Sequence, residues 1–248
     1  LDKLVRFIKH EHFGESGIVY CLKRDGADEA AKELNARGIP ALSYHAGLDA
    51  DERSRRQERF LREDGIVMCA TIAFGMGIDK PDVRFVAHLD MPKSIENYFQ
   101  ETGRAGRDGE PADAWMAYGI SDILDQRYFI DAGSGSDVYK MRQRAKLDAM
   151  LAYAETPSCR RQMLLRYFAE DAPEHCDNCD NCLYPPKVLD VTILAQQLVS
   201  CIWRCSKASG HSYGAGHIFA VLQGRQTERI ISRGHDKLST FGIGSAVD

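Results

Sequence analysis

Five short apolar runs set the strongest limit on how this chain can fold: residues 18–21 (Ile-Val-Tyr-Cys), 39–44, 66–70, 83–89 and 112–118. Continuous apolar runs of this length mark strands buried on both faces. Helical patterns lie between them. Residues 4–13 are amphipathic, residues 28–34 have high helix propensity with Gly38 as a stop, and Asp49 with Glu52 three residues on opens a charged helix to Glu63. A further helix spans 94–103. Strand and helix alternating at this spacing predicts an α/β fold, a mainly parallel sheet with helices on both faces. In such sheets sites gather at the strands' carboxyl ends, where the loop 71–79 and the turn 100–109 are expected to meet.

At 248 residues the chain can bury one large domain or several small ones, and its formal charge of −4 excludes bulk attraction to a polyanion. Contact with nucleic acid must come from local basic patches. Arg53, Arg55, Arg56, Arg59 and Arg62 interleave with acids on the charged helix and read as a solvated face. No run of about 18 apolar residues is present to span a membrane. The Leu1-Asp2-Lys3 start, with no initiator Met or signal-peptide core, reads as the interior of something longer.

The run Gln100-Glu101-Thr102-Gly103-Arg104-Ala105-Gly106-Arg107-Asp108-Gly109 places two arginines three apart among small residues. An arginine pair with little bulk between its members is a fork for phosphate, because guanidinium is planar, always charged and presents paired donors. As a bare pattern it is equally a solvated basic turn after a helix.

Eight cysteines without a secretory signal argue for thiols or metal and against disulfides. Cys21 and Cys69 lie in apolar runs, and Cys201 and Cys205 one turn apart in an apolar helix; all four read as core. Cys159, Cys176, Cys179 and Cys182 form C-x16-C-x2-C-x2-C, a spacing that lets four thiolates close a tetrahedron around structural zinc. An iron–sulfur cluster takes the same ligand number, and His175 is an alternative to one cysteine. A glycine-serine and acidic stretch at 131–137 marks a domain boundary near residue 130, followed by helices over 138–154 and 158–168. Helices over 190–206, 216–222 and 227–233 then suggest a helix-turn-helix arrangement.

Taken together, residues 18–21, Tyr44-His45-Ala46-Gly47-Leu48, the run from Ala70 to Arg84 and the run from Gln100 to Gly109 resemble the second motor lobe of RecQ-type DNA helicases. The run from Cys159 to Phe168 resembles the zinc-binding region of that family, and residues 234–244 its winged-helix segment. The resemblance implies a RecA-like lobe over 1–130, a helical hairpin and four-cysteine zinc-binding subdomain over 131–187, and a winged-helix module over 188–248, expected to be truncated before its wing strands. It implies that Arg107, as finger, and Arg104 face the terminal phosphate of ATP held with Mg2+ by a first lobe. Gln100 and Asp79 would lie toward the nucleotide, and Thr71, Gly75, Arg24 and Arg160 toward DNA, with Gly77 shaping the loop and Arg161 and Arg166 as further candidates. In place of the family's small polar residue before Arg24, this chain has Lys23. His45 reads as a local hydrogen-bonding residue.

The implied activity is ATP-dependent 3′–5′ DNA unwinding in repair and recombination, on single strands and duplex junctions, in the bacterial cytoplasm or a eukaryotic nucleus. No G-x-x-x-x-G-K-[ST] phosphate loop occurs in these residues, so this piece is expected to be inactive without the first lobe. The alternatives are a zinc-stabilised DNA-binding module without a motor and an RNA helicase lobe, the latter predicting no zinc.

Overall fold

The computed structural model describes residues 1–71, 74 and 79–245. Two of the expected loop residues, Gly75 and Gly77, lie outside the described residues. The chain forms two compact units, Leu1–Tyr184 and Pro185–Asp248. The first unit opens with α1 (Asp2–Glu11), β1 (Ser16–Tyr20), α2 (Arg24–Ala36), β2 (Ala41–Tyr44), α3 (Ala50–Arg62) and β3 (Val67–Ala70). It continues with β4 (Val83–His88), α4 (Ile95–Thr102), β5 (Asp113–Met116), α5 (Ile120–Ala132), α6 (Asp137–Glu155), α7 (Arg160–Tyr167) and the single turn α8 (Asp180–Leu183).

All five strands are parallel, in the order β2-β3-β1-β4-β5. Side chains alternate across them as the two-residue period requires. Val19, Cys69, Phe85 and Ala87 point to the face covered by α1 and α2, whose Leu4, Ile8, Ala27, Ala30 and Leu34 are buried there. Ile18, Tyr20, Met68 and Val86 point to the other face, beneath Phe60 of α3 and Phe74. Each fully buried Leu, Ile or Phe contributes about 1.5–3 kcal/mol relative to exposure. Gly17 is required where it stands, because a Cβ there would fall within the ring of Phe85.

Helix α3 is tied along its surface by the ion pairs Arg55–Glu52, Arg56–Glu52, Arg62–Glu58 and Arg59–Glu63. Its carbonyl end is met by Lys80, a buried lysine whose Nζ donates to the Glu63 carbonyl at 3.3 Å and lies 3.3 Å from Asp82.

Helix α5 has no counterpart in the sequence reading, because its apolar residues do not form one stripe. Ile123 and Ile130 pack inward, whereas Ile120, Leu124, Tyr128 and Phe129 are exposed. The Asp122 carboxylate accepts from Gly119 N at its start, and buried Gln126 donates to the Met91 carbonyl, fastening α5 to the chain leaving β4. Strand β5 is four residues long, shorter than the apolar run containing it.

The second unit holds α9 (Thr192–Ser209), α10 (Ala215–Leu222), α11 (Glu228–Ser232) and a 3-10 turn at His235–Lys237. Its core joins Cys201, Cys205, Ile218, Val221, Leu222 and Ile230. Among the described residues of this unit there is no strand. None of the described helices is long and apolar enough to cross a membrane.

Candidate nucleotide-facing turn and metal centre

The turn after α4 is built by glycine geometry. Gly103 closes the helix, its N–H donating to the Phe99 carbonyl at 3.0 Å, and Gly106 N donates to the carbonyl of Val83 at 2.9 Å. Gly106 has φ +65°, and a Cβ there would lie 2.9 Å from the Glu110 carbonyl oxygen. No other residue type fits without strain. Arg84 pairs with Asp108 and donates to the Pro111 carbonyl, which closes the turn onto the first residues of β4.

Val83 is the first residue of β4, so Gly106 and with it Arg107 stand at the amino edge of the sheet, whereas the Arg104 side chain reaches Tyr20, the last residue of β1. This corrects the expectation that the 100–109 turn would meet the 71–79 loop at the carboxyl ends. Asp79 lies four residues before β4, and it is there that it meets the turn after α4. Their contact is an ion pair: Arg107 Nη1 lies 3.0 Å from Asp79 Oδ1, both side chains being substantially exposed. Arg107 Nε also points at the Gly103 carbonyl, 3.4 Å away.

Arg104 differs in setting. It is half-buried, its Nε has no hydrogen-bond partner among the described residues, and its guanidinium lies against the Tyr20 hydroxyl. Burial pushes the Tyr20 phenol well up, with Arg104 opposing the shift, so the hydroxyl stays protonated and donates to the Phe74 carbonyl at 3.0 Å. Tyr20 also stacks on His88, whose Nε2 lies 2.8 Å from Glu101 Oε2 in a buried pair. Sequence reasoning missed this pair. Its only signal was a polar residue ending an apolar strand and an acid on the inner side of α4.

The remaining expected residues distribute between edges. Arg24 is exposed at the first turn of α2, just past β1, and Thr71 follows β3, its N–H bonded to the Tyr44 carbonyl at 3.2 Å. Both stand at the carboxyl edge, opposite Asp79 and Arg107. Gln100 is exposed in α4 and lines a surface hollow with Glu96, Phe99, Lys146 and Phe168. His45 is a hydrogen-bonding hub: Gly47 N donates to Nδ1 at 3.2 Å, leaving Nε2–H for Asp28 at 3.0 Å. Asp90, beyond β4, accepts from Leu22 N at 2.7 Å, and burial raises its carboxyl above the ordinary range despite that bond.

The four sulfurs of Cys159, Cys176, Cys179 and Cys182 lie within 4.8 Å of one another. Cys159 caps α7, accepting from Gln162 N, and the sulfurs of Cys176 and Cys179 accept from the N–H groups of Cys179 and Arg160. Two sulfur pairs, Cys176–Cys182 and Cys159–Cys179, are each 4.0 Å apart. A tetrahedron with Zn–S bonds of about 2.3 Å has edges of about 3.8 Å, so the thiols fit one zinc ion. A multi-iron cluster would need them spread farther apart. Although burial opposes it, the N–H groups of Cys179 and Asn178 bring the Cys176 thiol down to about 6. The Cys176 N–H favours the Cys182 thiolate, yet lost solvent and the neighbouring sulfurs push that thiol up to about 11. Thiols this close cannot all ionise unless a cation joins them.

Arg160 belongs to this centre. It makes a two-pronged ion pair with Asp180, at 2.5 and 2.9 Å, and its Nη1 donates to the carbonyls of Tyr153 and Ala154 at 3.1 and 3.2 Å. The guanidinium set toward phosphate by the sequence reading is thus turned inward, where it links α6 to the cysteine turn. Arg161 is exposed on α7.

Residues 1–109 match the family model described as helicase conserved C-terminal domain, residues 120–183 that of RecQ zinc-binding, and residues 185–248 that of the RQC domain. The chain belongs to the RecQ family. It is 43% identical over 98% of its length to the ATP-dependent DNA helicase RecQ of Haemophilus influenzae, covering 38% of that protein. It is 38% identical over 98% of its length to the protein of the same name from Bacillus subtilis, covering 40% of it. With the Schizosaccharomyces pombe ATP-dependent DNA helicase hus2/rqh1 it shares 38% identity over 99% of the chain and 19% of that protein. The chain thus spans about two fifths of the bacterial RecQ relatives it matches. Cys159, Cys176, Cys179 and Cys182 all fall inside the RecQ zinc-binding match.

Proposed function

We propose that this chain supplies the second motor lobe (1–130), the zinc-stabilised helical platform (131–187) and the winged-helix module (188–248) of an ATP-dependent 3′–5′ DNA helicase acting in DNA repair and recombination. Its site of action is then wherever the DNA is, the bacterial nucleoid or a eukaryotic nucleus. The observation that carries this reading is the pairing of Arg107, on the glycine-built turn after α4, with Asp79 ahead of β4 at 3.0 Å.

ATP with Mg2+, held by a first lobe, would supply the phosphoryl group and a cation to offset its charge. Arg107 then leaves Asp79 to neutralise charge on the phosphoryl group in flight, and Arg104 supports it from behind. Asp79 takes the guanidinium back when the phosphate departs. Arg24 and Thr71 hold the DNA strand at the opposite edge. Gln100 steadies the approach of the nucleotide-bearing lobe. The zinc holds α7 and the cysteine turn as a rigid platform and takes no part in the reaction.

The test is expression of this chain beside a separate polypeptide carrying a phosphate-loop lobe. Restored DNA-stimulated ATP hydrolysis that is lost on Arg107→Ala supports the motor. DNA binding with no hydrolysis in any pairing supports a zinc-stabilised clamp instead.

A further inference from the structure

His12 is buried, with its side chain 7% exposed, at the junction between α1 and β1, and three carboxylates surround it. Its ring is clamped by Phe7 and Phe85, with centroids 4.9 and 5.1 Å away, so its orientation is fixed. Nδ1 lies 2.7 Å from Glu15 Oε2, and Nε2 lies 3.0 Å from Asp113 Oδ2. Glu11 completes the group, its carboxylate oxygen, His12 nitrogen and an Asp113 oxygen all within 4.8 Å of one another. The nearest guanidinium that Glu15 feels, that of Arg84, is already paired with Asp108.

A neutral imidazole has one N–H. With Nδ1–H donated to Glu15, Nε2 presents its lone pair beside the Asp113 and Glu11 oxygens, where a proton or a divalent cation can join it to the carboxylates. A histidine whose far nitrogen donates to a carboxylate while the near one is bare is the arrangement that orients an imidazole ligand toward a metal.

We propose that His12 Nε2, Asp113 and Glu11 form a second metal site, separate from the four cysteines, for a divalent cation of the zinc class that accepts one imidazole and two carboxylates. Glu15 is its positioning residue, holding the tautomer. Asp113 is the first residue of the edge strand β5, and Phe7 of α1 stacks on Trp115 two residues later, at 6.0 Å between centroids. Metal here closes a staple that pins the edge strand to the first helix.

The experiment titrates Zn2+ into the full chain already carrying one zinc at the cysteines, reading binding by calorimetry and stability by thermal unfolding. The expected result is a second equivalent that raises the unfolding temperature. Its affinity falls at least about tenfold in Asp113→Asn and Glu11→Gln, both exposed positions, and about tenfold in Glu15→Gln, while the first zinc is retained. Co2+ at the second site should give visible ligand-field bands without a thiolate charge-transfer band. Absence of a second equivalent, a second equivalent indifferent to these substitutions, or a nitrogen spectrum showing both His12 nitrogens protonated in excess Zn2+ would each overturn the site.

Discussion

Asp79 Oδ1 and Arg107 Nη1 stand 3.0 Å apart although 28 residues separate them in sequence, and the ion pair they form is open to solvent. Exposed pairs of this kind contribute about 0–1 kcal/mol, so a phosphate can displace the carboxylate at little cost. On the proposed reading, the pair holds the Arg107 guanidinium close to where the phosphate would bind. In the complete two-lobed enzyme, Arg107→Ala should lower DNA-stimulated ATP turnover by a factor of roughly 10^3 or more while leaving DNA affinity unchanged. Steady-state hydrolysis and fluorescence anisotropy on the same preparation check both halves. Unchanged turnover in the double variant Arg104→Ala, Arg107→Ala would remove the finger from the mechanism.

The turn that carries Arg107 depends on Gly106. With φ at +65° and the Glu110 carbonyl oxygen 2.9 Å from where a Cβ would sit, Gly106→Ala should destabilise the lobe by about 1–2 kcal/mol. Because Gly106 N also holds the turn to Val83, the displacement reaches Arg107 directly. Turnover should therefore fall far more than stability, which thermal unfolding run beside ATPase assays will show.

The sheet and its helices were legible because each buried strand is a continuous apolar run and each covering helix carries one stripe, as Leu4, Val5 and Ile8 show in α1. The edge of the sheet on which Arg107 stands was not legible. Sequence order does not give the edge at which Asp79 stands, next to the buried Lys80 that meets the Glu63 carbonyl. Helix α5 was lost because its apolar residues face two ways. The four cysteines were legible because their spacing alone constrains them. Arg160, beside the first of them, was not, since an arginine on a helix start looks the same whether it faces phosphate or Asp180.

Metal removal should test the cysteine centre. Atomic absorption should find about one zinc per chain at the four cysteines, and stripping it with a chelator should lose the helical ellipticity of α7 and α8, because binding free energy there is folding free energy. Full ellipticity after complete removal would show that the thiols are ordinary packing.

The inward turn of Arg160 separates two outcomes cleanly. Arg160→Gln breaks a two-pronged ion pair and two carbonyl contacts, and hydrogen bonds to charged groups contribute about 1.5–3 kcal/mol each at most. The variant should release zinc faster and unfold at lower temperature, yet bind DNA with the same salt dependence. A reduced salt slope with normal zinc retention would place the guanidinium on phosphate instead.

In the second unit, protons are fully assigned along one chain. His217 Nε2–H donates to His235 Nδ1 at 2.8 Å, His235 Nε2–H to Ser209 Oγ at 2.8 Å, and the Ser209 hydroxyl to the Cys205 carbonyl at 3.0 Å. Burial lowers both histidines first, followed by His235, Arg229 and Arg233 for His217, and by Arg233 and His211 for His235, against which Asp236 acts. Both folded-state values therefore lie below the unfolded value of about 6.5, so the unfolded chain binds more protons between the two. The stability this network contributes is present above about pH 6.5 and is lost as pH falls through the folded-state values. The unfolding temperature of this unit should drop on acidification below that point, and His217→Gln, which removes the shared proton's donor and one titrating group, should flatten the profile; a pH-independent midpoint between about 7.5 and 5 in the unsubstituted chain would contradict it.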